Sequence, residues 1–356
     1  MKLVLVGGFL GAGKTRLLLA AGAVLRARGM RAAFLINDQG GELVDTRFAE
    51  ASGFATGEVT GGCFCCRFSD FMSAAERLAA AQPDVIFAEP VGSCADISAT
   101  ILQPLKARYG QRFQLAPFTV LVDPARAHQL LSDDADPDTA YLFRNQLLEA
   151  DLVVFTKGDL HGEPPQVPGI PSRQLSAATG EGVHAWLDEV LDGGIRAGSR
   201  LLSIDYARYA RAEASLGWLN WRAEVRLTRP LTPAAVVGPL LDGIGRALIT
   251  AGAQIEHLKV FGQAATGYIK ASLCANREEP IAEGAFDASP ARAHELVVNL
   301  RAAASPELLL DVMNEAAAAI PGRTLVMHRQ AFRPAAPSPQ HRFLTLAEQP
   351  DIPLTT

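Results

Sequence analysis

The chain has 356 residues, 49% of them hydrophobic and 20% charged, with 38 acidic against 33 basic side chains. That composition excludes a disordered polymer, and the length predicts two domains rather than one. A formal net charge of -5 gives no basic surplus for duplex nucleic acid, and no stretch reaches the ~18 apolar residues of a membrane span. The chain has five cysteines, three of them within residues 63–66, which does not read as a disulfide framework. The first apolar run, residues 3–6, is too short for a secretory signal, so the expected setting is a reducing cytoplasm that keeps thiols available.

In chain order, residues 2–6 read as a short buried strand that meets a glycine-rich loop and then a helix over 15–27. Strand-like runs follow at 32–36, 85–88, 118–122 and 151–155, separated by amphipathic stretches such as 71–81 and 139–148. Such alternation predicts an α/β domain with a mostly parallel sheet covered on both faces, and the phosphate-loop sequence at residues 8–15 marks it as a P-loop NTPase-type domain. Its functional loops should lie at the carboxyl ends of the strands. The pattern changes after residue 191. The predicted boundaries are 1–195 for the first domain, 196–217 for a linker with a helix over 206–217, 218–333 for a smaller α+β domain and 334–356 for a loosely ordered tail. In the second domain, strands are predicted near 218–227, 257–261, 268–274, 294–300 and 324–328, and helices over 232–251 and 306–319, in a split βαβ arrangement. Trp218 and Trp221 are expected to be core packing, and His257 and His328 are read as ordinary strand histidines. In the tail, Pro334, Pro337, Pro339, Pro350 and Pro353 oppose regular structure.

Gly8-Phe9-Leu10-Gly11-Ala12-Gly13-Lys14-Thr15 is a full phosphate-loop sequence between a predicted strand and a predicted helix. The nucleotide contacts expected there are Gly8, Gly11, Ala12, Gly13, Lys14, Thr15 and Arg16. Glycines let backbone N–H groups wrap phosphate oxygens, and the helix N-terminus adds its positive end. Lys14 should reach the β- and γ-phosphates, and Thr15 should ligate Mg²⁺. Thr156-Lys157-Gly158-Asp159 follows a later strand. A carboxylate at Asp159 can accept two hydrogen bonds from the N1–H and amino edge of guanine, an edge that adenine lacks. Lys157 would lie along the ring, and the backbone at Ser176-Ala177 could meet guanine O6. GTP is therefore the expected nucleotide.

Gly61-Gly62-Cys63-Phe64-Cys65-Cys66 places three thiols within four residues. Thiolates suit zinc, copper(I) or a similar soft-to-borderline metal, whereas phosphates suit magnesium. Cys63 and Cys65 fall on one side of an extended segment, and a tetrahedral site needs a further ligand.

At these residues the chain resembles the CobW-like family of metal-handling P-loop GTPases, related to the urease and hydrogenase nickel accessory GTPases. The resemblance rests on the phosphate loop, the Cys-x-Cys-Cys run, Ala88-Glu89-Pro90-Val91-Gly92, the Thr-Lys-Gly-Asp element with Ser176-Ala177, and residues 37–45, which align with the family's first switch segment. It covers roughly residues 1–190. It departs from the family pattern at Asn37-Asp38, where Asn-Glu is usual, at Gly41, where a glutamate falls one position before Glu42, at Pro90-Val91, and at Thr156, where Asn is usual. The resemblance implies a GTP-hydrolysing metallochaperone with GTP and Mg²⁺ as cofactors and Zn²⁺ or Co²⁺ as cargo. Its client would be a metalloprotein or a metallocofactor enzyme, such as one of cobalamin metabolism. The same reading expects no nucleic acid or membrane partner, and a monomer or nucleotide-dependent dimer.

On this reading Lys14, Asp45 and Glu89 are the catalytic residues, and Thr15, Asp45 and Glu89 surround magnesium. The metal ligands are Cys63, Cys65 and Cys66, with Asp38, Glu42, Cys94 or a water to complete the set. No arginine finger is assigned, so slow intrinsic hydrolysis is expected. The competing readings are a P-loop small-molecule kinase, which leaves Asp159 and the cysteines unexplained, and a nucleotide-gated metal buffer without significant turnover.

Overall fold

The computed structural model describes residues 1–162, 167–276 and 279–348. In chain order, β1 (Lys2–Gly8) leads into α1 (Lys14–Ala27), β2 (Ala32–Asn37), α2 (Val44–Ala51), β3 (Ala55–Val59), α3 (Phe68–Ala80) and β4 (Val85–Glu89). A wide helical turn at Ser98–Leu102 opens α4 (Gln103–Tyr109), followed by β5 (Gln114–Leu115), β6 (Thr119–Val122), α5 (Pro124–Leu130) and α6 (Pro137–Leu148). Then come β7 (Leu152–Phe155), β8 (Ser172–Gln174), α7 (Val183–Asp192) and α8 (Tyr206–Ala214). The remainder is β9 (Gly217–Leu231), α9 (Pro233–Thr250), β10 (Gln254–Ala264), β11 (Gly267–Leu273), β12 (Ile281–Gly284), β13 (Ala291–Ala303), α10 (Pro306–Ala318) and β14 (Gly322–Phe332).

These elements form two compact units. The first holds Met1–Gln39, Ser52–Ala212 and the described residues from Ala336 onward; the second holds Gly40–Ala51 and Glu213–Ala335.

In the first unit the strands run in the order β3-β2-β4-β1-β6-β7-β8, with β5 beside β1, and the pairs are parallel. Strands covered on both faces need apolar side chains at every position rather than at alternate ones. Leu3 to Val6, Val85 to Ala88 and Leu152 to Phe155 meet that requirement, each side chain being no more than 2% exposed. Burial of each Val, Leu, Ile or Phe among them contributes about 1.5–3 kcal/mol, which makes the strand pattern decisive over loop composition. Because the strands are parallel, the phosphate loop, Asn37, the Gly61–Cys66 run, Glu89, Asp123, Thr156 and Ser176 all fall at or just beyond their carboxyl ends.

Two boundary expectations need correction. The predicted linker is in part fixed to the first unit: Asp151 accepts hydrogen bonds from the backbone N–H groups of Gly198 and Ser199, at 2.6 and 2.8 Å, and Tyr209 in α8 is fully buried. The tail predicted to be loosely ordered lies, over residues 336–348, on the first unit with specific hydrogen bonds. Proline excludes a strand ladder there but leaves carbonyls and the other N–H groups free to pair. Pro350 and Pro353 lie outside the described residues.

The second unit is an antiparallel sheet in the order β12-β11-β10-β13-β9-β14. The succession β9-α9-β10 and β13-α10-β14, with β9 and β13 paired at the centre, is the expected split βαβ pattern, to which β11 and β12 add a meander. Thr232 and Ser305 cap α9 and α10 by accepting hydrogen bonds from the N–H groups of Ala235 and Leu308, and proline follows each cap at the first helical position. Leu240, Ile244, Leu309 and Met313 pack with Trp221, Leu258 and Val298 in the core. Trp218 and Trp221 are both buried, as expected of core residues.

Candidate nucleotide and metal sites

The phosphate loop turns through glycine at positions whose backbone conformation a side chain would strain. Gly11 and Gly13 have φ of 79° and 86°, in the left-handed region that glycine occupies without cost. Lys14 opens α1, and its ammonium donates to the carbonyls of Gly8 and Phe9 at 2.8 and 3.2 Å. The Thr15 hydroxyl donates to the Glu89 carboxylate at 2.9 and 3.2 Å, and Lys14, Thr15 and Glu89 are all buried. This pairing follows from strand order, because β4 lies beside β1 with Ala88 opposite Leu5. A hydroxyl and a carboxylate at this separation are hard oxygen donors of the kind Mg²⁺ takes, directly or through water, so these residues fit that ion. Gly92 belongs to the same assembly. A Cβ there would stand 2.9 Å from the Leu10 side chain and 3.1 Å from the Lys14 ammonium, so any side chain would press on the phosphate loop.

At the other end of the site, Thr156 follows β7, and its hydroxyl donates to the Ala12 carbonyl at 3.0 Å. The tie between base loop and phosphate loop is thus made by threonine at a position where the family pattern has asparagine. Lys157, at φ 56°, pairs with the buried Asp123 at 2.5 Å, and His161 approaches the same carboxylate at 3.5 Å. Asp159 is exposed and accepts from the Ser176 hydroxyl, which holds its carboxyl below the ordinary range, with Arg16 adding a favourable charge. Ser176 Oγ also accepts from the N–H groups of Ala178 and Thr179, and the Gly158 N–H donates to the Leu175 carbonyl. Thr156, Lys157, Asp159 and Ser176-Ala177 therefore converge from two loops. Asp123, absent from the sequence reading, is the anchor for Lys157; its only sequence signal is its place at the end of a buried strand and before Pro124.

The thiols converge through a tight turn. Gly61 has φ 77°, and the N–H groups of Cys66 and Arg67 both donate to the Cys63 carbonyl at 3.0 Å, which starts α3. Cys63 Sγ lies 2.9 Å from Cys65 Sγ and 3.1 Å from Cys66 Sγ, and Cys65 to Cys66 is 3.8 Å. Two thiolates on a tetrahedral zinc-like ion stand roughly 3.8 Å apart, since each metal–sulfur bond is about 2.3 Å, so the cluster needs less than about 1 Å of spreading. Cys63 and Cys65 are buried and Cys66 is half-buried. Hydrogen bonding with Cys65, Cys66 and Cys94 draws Cys63 towards thiolate, while hydrogen bonding with Cys63 holds Cys65 as a thiol and pushes Cys66 up to about 11. Cys94 reaches Cys63 from the loop after β4, in which the Cys94 N–H donates to the Val91 carbonyl and the Cys94 carbonyl accepts from Gln146.

The loop is held by a residue whose role the sequence reading missed. The Asn37 side chain, at the end of β2, donates to the carbonyls of Val59 and Gly62 at 2.8 Å each and accepts from the Phe64 N–H at 2.8 Å. A buried amide with three bonds fixes the backbone on both sides of Cys63. Phe64 itself is fully buried against Phe71, as its apolar ring requires. The only available signal was an amide at a strand end.

Among the described residues, one group of three or more His, Cys, Asp or Glu ligand atoms lies within 4.8 Å, and it is Cys63, Cys65 and Cys66. Asp38 stays in the first unit, where its N–H donates to the Val59 carbonyl at 3.2 Å, and neither it nor Cys94 is part of that group. Glu42 and Asp45 belong instead to the second unit. Glu42 pairs with Arg222 at 3.3 Å and Arg47 at 3.6 Å. Asp45 pairs with Lys259 and, at 3.8 Å, with Lys270. Burial would raise the Asp45 carboxyl, but the two ammonium groups outweigh it and hold the acid well below the ordinary range. In this structure arginines hold Glu42, the carboxylate expected as a metal ligand, and lysines hold Asp45, the one expected at magnesium. Asn299 accepts from the Val44 N–H at 2.8 Å and donates to the Glu42 carbonyl at 2.9 Å, while Asn220 donates to the Gly41 carbonyl at 2.6 Å. Asn220, Asn299 and Lys259 form one row across β9, β13 and β10.

Residues 2–170 match the family model described as the CobW/HypB/UreG nucleotide-binding domain. That stretch is similar to the family's nucleotide-binding domain. The match runs from the phosphate loop through the cysteines to the base loop. Among solved structures the chain is similar to HypB from Helicobacter pylori in complex with nickel, at 15% identity and a TM-score of 0.41, covering 54% of this chain and 86% of that one. It is also similar to Zn(II)-bound YjiA GTPase from E. coli, at 16% identity and a TM-score of 0.32, covering 90% and 98%. The hydrogenase maturation factor HypB from Archaeoglobus fulgidus aligns at 15% identity and a TM-score of 0.37, covering 54% and 89%. No curated protein matches the chain. Among the described residues, no helix is long and apolar enough to cross a membrane.

Proposed function

We propose that this chain binds GTP with Mg²⁺, hydrolyses it slowly, and uses nucleotide state to control a metal ion carried on Cys63, Cys65, Cys66 and Cys94. Zinc and cobalt are the cargo we favour, because a largely thiolate donor set suits zinc and tolerates cobalt. The recipient would be a metalloprotein or metallocofactor enzyme in the cytoplasm, and the chain would act as a monomer or a nucleotide-dependent dimer.

The observation that carries the reading is the occurrence, within one unit, of the Thr15–Glu89 pair beside Lys14 and of the Asp159–Ser176 pair at the base end. Lys14 would exchange its loop carbonyls for β- and γ-phosphate oxygens. Thr15 would give its hydroxyl oxygen to magnesium, and Glu89 would bind a metal-held or attacking water. Magnesium, when bound, supplies charge neutralisation between the phosphates. Asp159 would select guanine by accepting from its N1–H and amino group, which weighs against an adenine-dependent kinase. With positioning and charge as the means of catalysis and no arginine assigned in trans, turnover of ~10⁻³ s⁻¹ or slower is expected.

A short path supports coupling between nucleotide and thiols. Ile36 pairs with Glu89 across β2 and β4, and the next residue, Asn37, grips Gly62 and Phe64 on either side of Cys63. Cys94 stands five residues beyond Glu89. A change at Glu89 would thus reach both loops that carry thiols, and by linkage metal would tighten nucleotide binding as much as nucleotide tightens metal binding.

Equilibrium binding of GTP and ATP, with phosphate release from wild type and Glu89→Gln, tests the reading. We expect at least 100-fold preference for GTP and at least 10-fold slower release in the variant. Equal affinities, or release unaffected by the substitution, would contradict it.

A further inference from the structure

Residues 336–343 lie against the thiol cluster, and no part of the proposed nucleotide cycle uses them. The segment has no strand ladder, and Ser338 sits between Pro337 and Pro339, which confines it to an extended path. Its polar groups find partners at the cluster instead. The Ser338 N–H donates to Cys66 Sγ at 3.2 Å, and the Gln340 N–H donates to the Cys65 carbonyl at 2.9 Å. The Gln340 side chain accepts from the Ser69 N–H at 2.9 Å, satisfying a donor in the first turn of α3. The His341 ring meets Phe68 edge-on at 5.1 Å.

Further along, the same segment holds the other thiol-bearing loop. The Arg342 guanidinium donates to the buried Asp96 carboxylate at 2.7 Å, two residues past Cys94, and the Phe343 N–H donates to the Ala99 carbonyl at 3.0 Å. Tyr206 also donates to Asp96, at 2.8 Å. One stretch of eight residues therefore bridges the loop of Cys63, Cys65 and Cys66 to the loop of Cys94.

We propose that residues 336–343 are the outer wall of the thiol site, and that the Ser338 N–H is a positioning group for Cys66. An N–H directed at sulfur stabilises its negative charge and fixes the lone pair left for a metal, as outer groups do in other metal centres. The wall also narrows the approach to the half-buried Cys66, and the Arg342–Asp96 pair sets the spacing of the two loops. The metal part of this inference rests on the reading of the cysteines as a metal site; the covering of Cys66 does not.

The test uses the full chain, a truncation ending at Ala335, and the variants Ser338→Pro, Ser338→Ala and Arg342→Ala. Proline removes the N–H yet follows the extended path of its neighbours, whereas alanine keeps the N–H. Two rates are read: alkylation of Cys66 in metal-free protein, followed by peptide mass spectrometry, and release of bound Zn²⁺ to a chromogenic chelator. GTP affinity serves as the check on folding. Truncation should speed alkylation of Cys66 at least 5-fold and Zn²⁺ release at least 10-fold. Ser338→Pro should reproduce most of the faster Zn²⁺ release, Ser338→Ala none of it, and Arg342→Ala a smaller share. Variants that keep wild-type GTP affinity with both rates unchanged would overturn the proposal, as would equal Zn²⁺ release from the proline and alanine variants. If no form binds Zn²⁺ while truncation still exposes Cys66, the wall stands and the metal reading falls.

Discussion

The two units use polar side chains in opposite ways. In the first, Lys14, Thr15, Glu89, Asp159 and the cysteines sit at the ends of parallel strands, and short motifs announce most of them. In the second, Asn220, Asn299 and Lys259 form a row across three antiparallel strands and hold residues 41–45 by backbone bonds and an ion pair. No motif marks that row, because it exists only once the strands are in register. Groups proposed to meet a ligand are thus local in sequence here, while groups that hold the chain to itself are dispersed.

That contrast predicts where substitutions act. Lys14→Ala should lower GTP affinity at least 1000-fold by isothermal titration while leaving urea unfolding of the second unit unchanged; loss of both together would erase the distinction. Lys259→Met should have the reverse signature, since it leaves a buried carboxylate with one partner lost. We expect about 3 kcal/mol of destabilisation in urea at pH 7.

The same pair carries a pH signature. The Asp45 carboxyl is depressed in the folded chain, so its contribution is fully present above the unfolded value of ~4 and is lost as pH falls from there towards the native one. The stability gap between wild type and Asp45→Asn should therefore narrow between pH 6 and pH 3, and a constant gap would contradict the ion-pair account. Asp159→Ala should weaken GTP by about 2–3 kcal/mol and ATP hardly at all, because both lost hydrogen bonds involve guanine and a charged acceptor. The smallest effect is expected at Thr156→Val, about 1 kcal/mol in GTP affinity, read by the same titration, for loss of the hydroxyl bond to Ala12.

Much of the first unit was legible because its signals are local. Apolar runs such as 85–88 and 152–155 specify fully buried strands, and a glycine loop between strand and helix specifies a phosphate site. The split βαβ pattern of the second unit was also visible in element order, although β12 was not, being four residues long and only half-buried. Partners fixed by distant register were not visible. Asp45 aligned with a switch segment and was read as a magnesium ligand, yet its partner Lys259 stands 214 positions away. Prolines in the tail signalled the missing ladder but not that the Ser338 and Gln340 N–H groups would meet Cys66 and Cys65. Cys94 could be named only as one of several fourth ligands, because its approach to Cys63 depends on how the loop after Glu89 folds back.

The central claim is that nucleotide state and metal affinity are coupled within the first unit. It is tested most directly by titrating Zn²⁺ or Co²⁺ into the protein with and without a non-hydrolysable GTP analogue and Mg²⁺. The account predicts at least 10-fold tighter metal binding with the analogue, and the same factor in analogue affinity when metal is present. Equal metal affinities in the two states would contradict it.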